Sequence, residues 1–522
     1  MFKSAARGAA LLLSAWLMIA TMASAQHTYY VSKSTGSDSN GATQAQSKTS
    51  PWAHFPGMAS CTSNCKSYSP LAGDRFILMG CDTWVNSDLP VNWNWSGTSG
   101  APIYIGVDKT WYNATACPSG WNRPIWDAQK DVISGGNFFF YPSPSGSTNY
   151  VTLDNIEMTH LEITSGSYGS AIGWVGSASQ GWTFSNNYIH AWDASADNCV
   201  LIQGTYEGST SQNDIYEDNV IDGSDATGPG MGGGVGTCYG FYTDYSGVKI
   251  VNNVIRYVVN PIVAYSGSNG LEIGGNLIEY GQDSLGGANH CNMIEIVGGG
   301  TFYIHDNVIH DMACNGGEFL MLGNNGETSY VWNNIMYNIS PGQPPSFPQT
   351  GGQGTIPGLY FYGNTIVTGT NMSCFNYSGQ TGSTFTHLVM ENNHCVTTSE
   401  STYSGGASVT NLVQTPNTLM TPTTATSQGY TSSETYAYSP TKSSGGTVGA
   451  GTNLTSSCSG NLSGLCNDTG YAVLYNSASQ TVTVPARTET ARPTTGAWDA
   501  GAYLFGDDPP PDPPSELAAV AH

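Results

Sequence analysis

Three acidic residues stand in short runs of apolar and aromatic neighbours: Asp244 in Tyr242-Thr-Asp244-Tyr245, Glu295 in Met293-Ile-Glu295-Ile296, and Glu318 in Glu318-Phe-Leu320. A carboxyl group in such company loses hydration, which penalises its charged form and raises its pKa. One carboxylic acid and one carboxylate flanking the same bond are equipped for general acid–base cleavage. These residues lie far apart in the chain, so the chemistry depends on an architecture that makes them neighbours.

A recurring asparagine supplies that architecture. Asn155-Ile156, Asn187-Tyr-Ile189, Asn219-Val-Ile221, Asn253-Val-Ile255, Asn276-Leu-Ile278, Asn307-Val-Ile309, Asn334-Ile-Met336, Asn364-Thr-Ile366 and Asn393-His-Cys395 follow at steps of 23 to 34 residues. Short strands on either side of a turn residue at this period mark a repeat solenoid. The pattern predicts an all-β fold, a parallel β-helix with rungs about 4.8 Å apart and side-chain amides bonded rung to rung inside the bend. In each rung a second strand ends at the asparagine (247–252) and a third strand follows (254–257). After a variable loop comes the first strand of the next rung (261–265).

First-sheet strands aligned on their closing glycines (Gly204, Gly247, Gly267, Gly298, Gly323 and Gly379) put Leu201, Asp244, Ala264, Glu295, Leu320 and Asn376 in one outward column. Tyr242, Ile262, Met293 and Glu318 fall in the next. Asp244 and Glu295 are then two rungs, about 10 Å, apart. Glu295 and Glu318, offset by two positions, come to roughly 8 Å. Both separations approach or fall within the range that leaves room for water in an inverting glycosidase. Glu295 is expected as general acid with Asp244 or Glu318 as base; the alternative is a set of solvated outward carboxylates.

Asp193, Asp197, Asp225 and Asp283 fall in the loops that would wall this sheet, and His290 precedes the Glu295 strand. With Tyr242 they are candidates for binding sugar. The four aspartates could instead hold Ca²⁺, or serve as ordinary turn residues. No other cofactor is required. On the third strand, the residue three after the asparagine forms a polar column: His190, Asp222, Arg256, Glu279, His310 and Tyr337. Arg256 between two acids reads as an exterior charge ladder, or alternatively as a substrate-binding residue or the base of a lyase.

Composition narrows the partners. Lys3, Arg7, an apolar run from Ala9 to Met22 and Ala23-Ser-Ala25 read as a secretory signal, 1–25. All 12 cysteines follow it, favouring disulfides in an oxidising compartment. The spacing suggests Cys199–Cys238, Cys291–Cys314, Cys374–Cys395 and Cys458–Cys466, with Cys61, Cys65, Cys81 and Cys117 paired among themselves. The net charge of −23 disfavours nucleic acid, anionic membranes and polyanions. Between Asp131 and Thr441 the basic side chains, histidine aside, are Lys249 and Arg256, whereas the chain holds 30 Tyr and 13 Trp, whose faces suit sugar rings. Residues 26–150 read as a cap with the first rungs, 151–400 as the regular coil, 401–505 as final rungs or a closing element, and 506–522 as a disordered Pro-rich tail.

The start Tyr29-Tyr-Val-Ser-Lys-Ser-Thr-Gly-Ser-Asp-Ser-Asn40, with Ser50-Pro-Trp52 and Gly73-Asp-Arg-Phe-Ile-Leu78, resembles secreted right-handed parallel β-helix proteins of the pectate-lyase-like superfamily. The end, Arg492-Pro-Thr-Thr-Gly-Ala-Trp-Asp-Ala-Gly-Ala-Tyr503, is similar to their closing segment. The resemblance implies a groove along the first sheet, walled by the loop before it. It implies no single activity, because that superfamily includes lyases, hydrolases, esterases and non-enzymatic surface proteins. The Asn-Thr-Asp, Asp-Asp, Gly-His-Gly and Arg-Ile-Lys segments of polygalacturonase-like hydrolases are absent from the coil, as is the Arg-Pro-x-x-Arg segment of pectate lyases. No catalytic residue is therefore carried over.

The expectation is a monomeric secreted or periplasmic enzyme that cleaves a polysaccharide, a glycoside hydrolase on a neutral or weakly charged glycan. The alternatives are a Ca²⁺-dependent lyase with Arg256 or Lys249 as base, and a non-catalytic glycan-binding solenoid.

Overall fold

The computed structural model describes residues 26–506 except 143–145, 164–168, 174–178, 195–198, 204–211, 228–237, 244–245, 266–268, 282–290, 313–317, 340–344, 346–353, 370, 378–381, 400–402 and 406–407. The chain coils as a right-handed parallel β-helix, the architecture implied by the resemblance of its two ends. Among the described residues, two 13-stranded sheets form the second and third faces, and an eight-stranded sheet with a separate strand pair, Phe375–Tyr377 and Tyr403–Gly405, the first, each running rung after rung.

The asparagine step fixes one corner. Asn187 Nδ2 donates to Asn219 Oδ1 (3.0 Å), and the same bond recurs from Asn219 to Asn253, Asn276, Asn307, Asn334, Asn364, Asn393 and finally Asn417, at 2.9–3.0 Å. Each amide also donates to a backbone carbonyl of the preceding rung, as Asn276 does to Ile250 O (2.9 Å), so a fully buried polar column is satisfied. Asn155 stands one position too early to join: at φ 60° it makes the turn, and Ile156 occupies the ladder position. The residue before each ladder asparagine from Asn187 to Asn393 has φ between 54° and 65°: Asn186, Asp218, Asn252, Gly275, Asp306, Asn333, Gly363 and Asn392. Those are the residue types that tolerate the left-handed region.

Two residues after the ladder, Ile189, Ile221, Ile255, Ile278, Ile309, Met336, Ile366 and Cys395 stack in register inside the lumen. Trp182, Phe184 and Tyr216 add a parallel ring stack at 5.5 and 5.2 Å. Each rung thus buries its apolar face on its neighbours.

Residues 401–505 are only in part rungs. After strands at Ser408–Val413 and Thr418–Met420 and the helix Pro422–Gln428, the chain turns back along the outside of the coil. Asn392 Nδ2 donates to Thr452 O (2.7 Å), Arg492 Nη2 to Asn333 Oδ1 (3.1 Å), Tyr475 OH to Asp222 Oδ2 (3.2 Å), and Arg123 Nη2 to Gln480 O (3.0 Å). This return spans the rungs lengthwise and joins the first rungs to the last.

Disulfides join Cys61–Cys65, Cys81–Cys117, Cys374–Cys395 and Cys458–Cys466. Cys238 and Cys291 are also disulfide-bonded, and Cys199 faces Cys238 in register on the adjacent strand; Cys314 lies outside the described residues. Among the described residues no helix is long and apolar enough to cross a membrane.

Candidate active site on the first sheet

The first-sheet register differs from the glycine alignment by one residue at Ala264 and Leu320 and by two at Asp244 and Leu201. Glu295 pairs with Val263 on one side and Met321 on the other, and Val263 pairs with Tyr242, which pairs with Gln203. The Glu295 column is therefore Gln203, Tyr242, Val263, Glu295, Met321, and not Leu201, Asp244, Ala264, Glu295, Leu320. Because strand side chains alternate faces, a one-residue slip exchanges the outward and inward sets. Ala264 and Leu320 are in consequence core residues, and Tyr242 stands in the column expected for Asp244. Asp244 itself lies outside the described residues. Val263 and Met321, both nearly inaccessible, give Glu295 an apolar neighbour on each side.

Two asparagines hold the acid. Asn260 Nδ2 and Asn292 Nδ2 donate to the same oxygen, Glu295 Oε2, at 3.1 and 3.0 Å. Asn292 N donates to Asn260 Oδ1 (3.2 Å), and Glu318 N donates to Asn292 Oδ1 (3.2 Å). Both amides are buried. Glu318 thus sits one rung beyond Asn292, at the corner where the chain enters the first sheet, three positions before the residue facing Glu295 instead of two. Its Oε2 is enclosed and has no hydrogen-bond partner among the described residues. Burial, and then the negative charge of Glu295, push the Glu318 carboxyl up to about 7. A side chain so placed holds a proton near neutrality.

Asn260 and Asn292 escaped the sequence reading, although Asn260-Pro-Ile262 and Asn292-Met-Ile294 repeat the asparagine–x–isoleucine spacing of the main ladder. Tyr242 stacks with Tyr265, centroids 4.5 Å apart, and forms an aromatic face two rungs from Glu295.

Of the remaining candidates, Asp193, Asp225 and Arg256 lie among the described residues. Asp197, Asp283 and His290 lie outside the described residues. Asp193, in the short strand Asp193–Ala194, pairs in register with Glu162 and with Thr227. Asp225 accepts from His190 Nδ1 (2.8 Å) and Ala191 N (3.0 Å) on the third-sheet side. Among the described residues no three His, Cys, Asp or Glu side chains are placed to share a metal ion; Asp197 and Asp283, two of the four aspartates considered for calcium, lie outside those residues. Arg256 lies on the third sheet, with Nη1 3.5 Å from Asp222 and Nε 3.0 Å from Glu279. Its guanidinium also lies about 5 Å from the Tyr257, Tyr280 and Tyr475 rings. The exterior charge ladder is therefore the arrangement found, roofed by the C-terminal return and remote from the first sheet.

A polar cleft of ≈ 300 Å³ opens between the second sheet and the return, with Lys249, Glu272, His305, Asp306 and Glu489 in its walls. Lys249 pairs with Glu272, and His305 with Asp306 (2.9 Å) and Glu272 (3.4 Å). These charges neutralise one another, which makes the cleft a weaker candidate for catalysis than the acids on the first sheet.

No family model matches the sequence, and no curated protein matches it. Among solved structures the chain is similar to pectate lyase Pel9A, with 15% identity, 92% of this chain and 96% of that one covered, and a TM-score of 0.40. It is similar to XylC in complex with xylose (10% identity, 74% and 86% covered, TM-score 0.42). It is also similar to the GH136 lacto-N-biosidase from Eubacterium ramulus (12% identity, 74% and 68% covered, TM-score 0.36). These similarities concern the coil and fix no residue of the site.

Proposed function

We propose that this chain is a secreted polysaccharide-cleaving enzyme, a glycoside hydrolase that takes a neutral or weakly charged glycan along the first sheet. The observation that carries the proposal is the pairing of Glu318, whose carboxyl is pushed up to about 7, with Glu295, whose carboxylate accepts two amide N–H bonds. Glu318 is the general acid that protonates the leaving oxygen, and Glu295 is its carboxylate partner. This exchanges the roles expected from the sequence, and the reason is local. Two buried amides donate to Glu295, whereas the enclosed Oε2 of Glu318 has no partner among the described residues.

A glycan following the coil would bring one of its rings over Tyr242, about 10 Å from Glu295 by rung spacing. A chain of net charge −23 repels a uronate polymer. Lys249 and Arg256, the bases considered for a lyase, are tied to carboxylates on the other two sheets. The leader-like N-terminus and the disulfides support export.

Glu318→Gln and Glu295→Gln test the assignment. Each is expected to lower reducing-end release from neutral glycans by about 10²–10⁴-fold with an unchanged melting curve. Cleavage retained in both variants, or products with unsaturated ends, would overturn it.

A further inference from the structure

We propose that Asn292 is the positioning residue of this site: through one side-chain amide it holds the Glu295 carboxylate and the Glu318 backbone in a fixed relation across two rungs, with Asn260 as a second support that bonds Glu295 and the Asn292 backbone N–H. The inference rests on the hydrolase proposal for its catalytic consequence but not for its geometry. Every polar atom of the Asn292 amide is engaged. Oδ1 accepts from Glu318 N (3.2 Å), and Nδ2 donates to Glu295 Oε2 (3.0 Å) and approaches Met321 Sδ (3.1 Å). The backbone N of Asn292 donates to Asn260 Oδ1 (3.2 Å). The side chain is fully buried, so water cannot replace these partners without a cavity forming.

A planar amide has its acceptor and its donors on opposite edges. Asn292 therefore fixes both direction and separation: a shift of Glu318 relative to Glu295 must break one bond or the other. Asn260 touches Glu295 but not Glu318, and serves as an internal control. Loss of Asn292 frees the Glu318 segment and admits water to its carboxyl, whereas loss of Asn260 leaves that carboxyl enclosed.

The test compares Asn292→Ala and Asn260→Ala in the whole chain. Glutamate labelled with ¹³C at the side-chain carboxyl gives a titration curve for Glu318, identified by its disappearance in Glu318→Gln. Asn292→Ala is expected to move that midpoint down toward the ordinary carboxylate range, and Asn260→Ala to leave it in place. In kinetics, Asn292→Ala should cost about 10- to 100-fold in kcat with little change in KM. Should Asn292→Ala fail to fold, Asn292→Ser keeps a small polar side chain and is read in the same way. An unmoved Glu318 midpoint in the Asn292 variant, or an equal movement in both variants, overturns the inference. The titration needs no substrate, so its outcome stays separate from a failure of the hydrolase proposal, which Glu295→Gln and Glu318→Gln report on their own.

Discussion

Two asparagine stacks run through this molecule and end differently. The long ladder from Asn187 to Asn417 donates each amide to the next rung, and each Nδ2 also meets a backbone carbonyl of the rung before, so no polar atom is left over. The short stack, Asn260 and Asn292, runs in the opposite sense: the later rung donates its backbone N–H to the earlier amide oxygen. Its Nδ2 groups are thereby released from amide-to-amide bonding and turn to the Glu295 carboxylate. Chemically identical residues thus hold a corner in one place and a charged group in the other. The deciding factor is what claims the amide oxygen.

That contrast can be broken at several points. The largest effect on folding is expected in the long ladder. Asn276→Ala deletes the Nδ2 bonds to the Ile250 carbonyl and to Asn307 Oδ1, which keeps the Asn276 backbone N–H, and removes the acceptor of the Asn253 backbone and side-chain N–H groups, at about 1–3 kcal/mol for each buried group left unpaired. A loss of about 3–5 kcal/mol in denaturant unfolding is expected, with kcat of the folded fraction unchanged; a selective loss of kcat would erase the distinction between the stacks.

Next comes pH. Glu318 must be protonated to act as acid and its carboxyl lies at about 7, so kcat should fall about tenfold per unit above that value. Because its folded pKa is raised, ionisation disfavours the folded state: stability should decline as pH rises from the ordinary carboxylate range toward 7. A kcat that stays flat from pH 7 to 9 would remove Glu318 from the acid role.

The smallest effect is expected on the third sheet. Tyr475→Phe deletes the bond to Asp222 while keeping a ring above Arg256. It should lower the unfolding free energy by about 0.5–1 kcal/mol and leave kcat alone. A large kinetic change there would mean that the charge ladder does more than brace the C-terminal return.

The parts that sequence reading located share one property: their register is counted from a turn of fixed length. The isoleucines two after each asparagine, and the column His190, Asp222, Arg256, Glu279, His310 and Tyr337 three after it, fall opposite one another strand by strand. The first sheet follows a loop of variable length, so glycine punctuation gave no reliable count. The alignment slid by one residue at Ala264 and Leu320, and put Asp244 where Tyr242 stands. Asn417 closes the ladder beyond Asn393, where the sequence reading stopped, although Asn417-Thr-Leu419 carries the same asparagine–x–apolar step. The backward course of residues 430–505 left no periodic trace, since its contacts join positions hundreds of residues apart.

From the sequence alone came the coil, its buried amide corner, its isoleucine core, and the presence of acids on the first sheet. These follow from local rules, namely side-chain period and the backbone demands of one tight turn. Only the tertiary structure decided which residue faces Glu295, that Asn292 stands between the two acids, and that Arg256 lies beneath Tyr475. Those relations depend on how far each loop advances the chain before the next rung begins, a length that no local preference encodes.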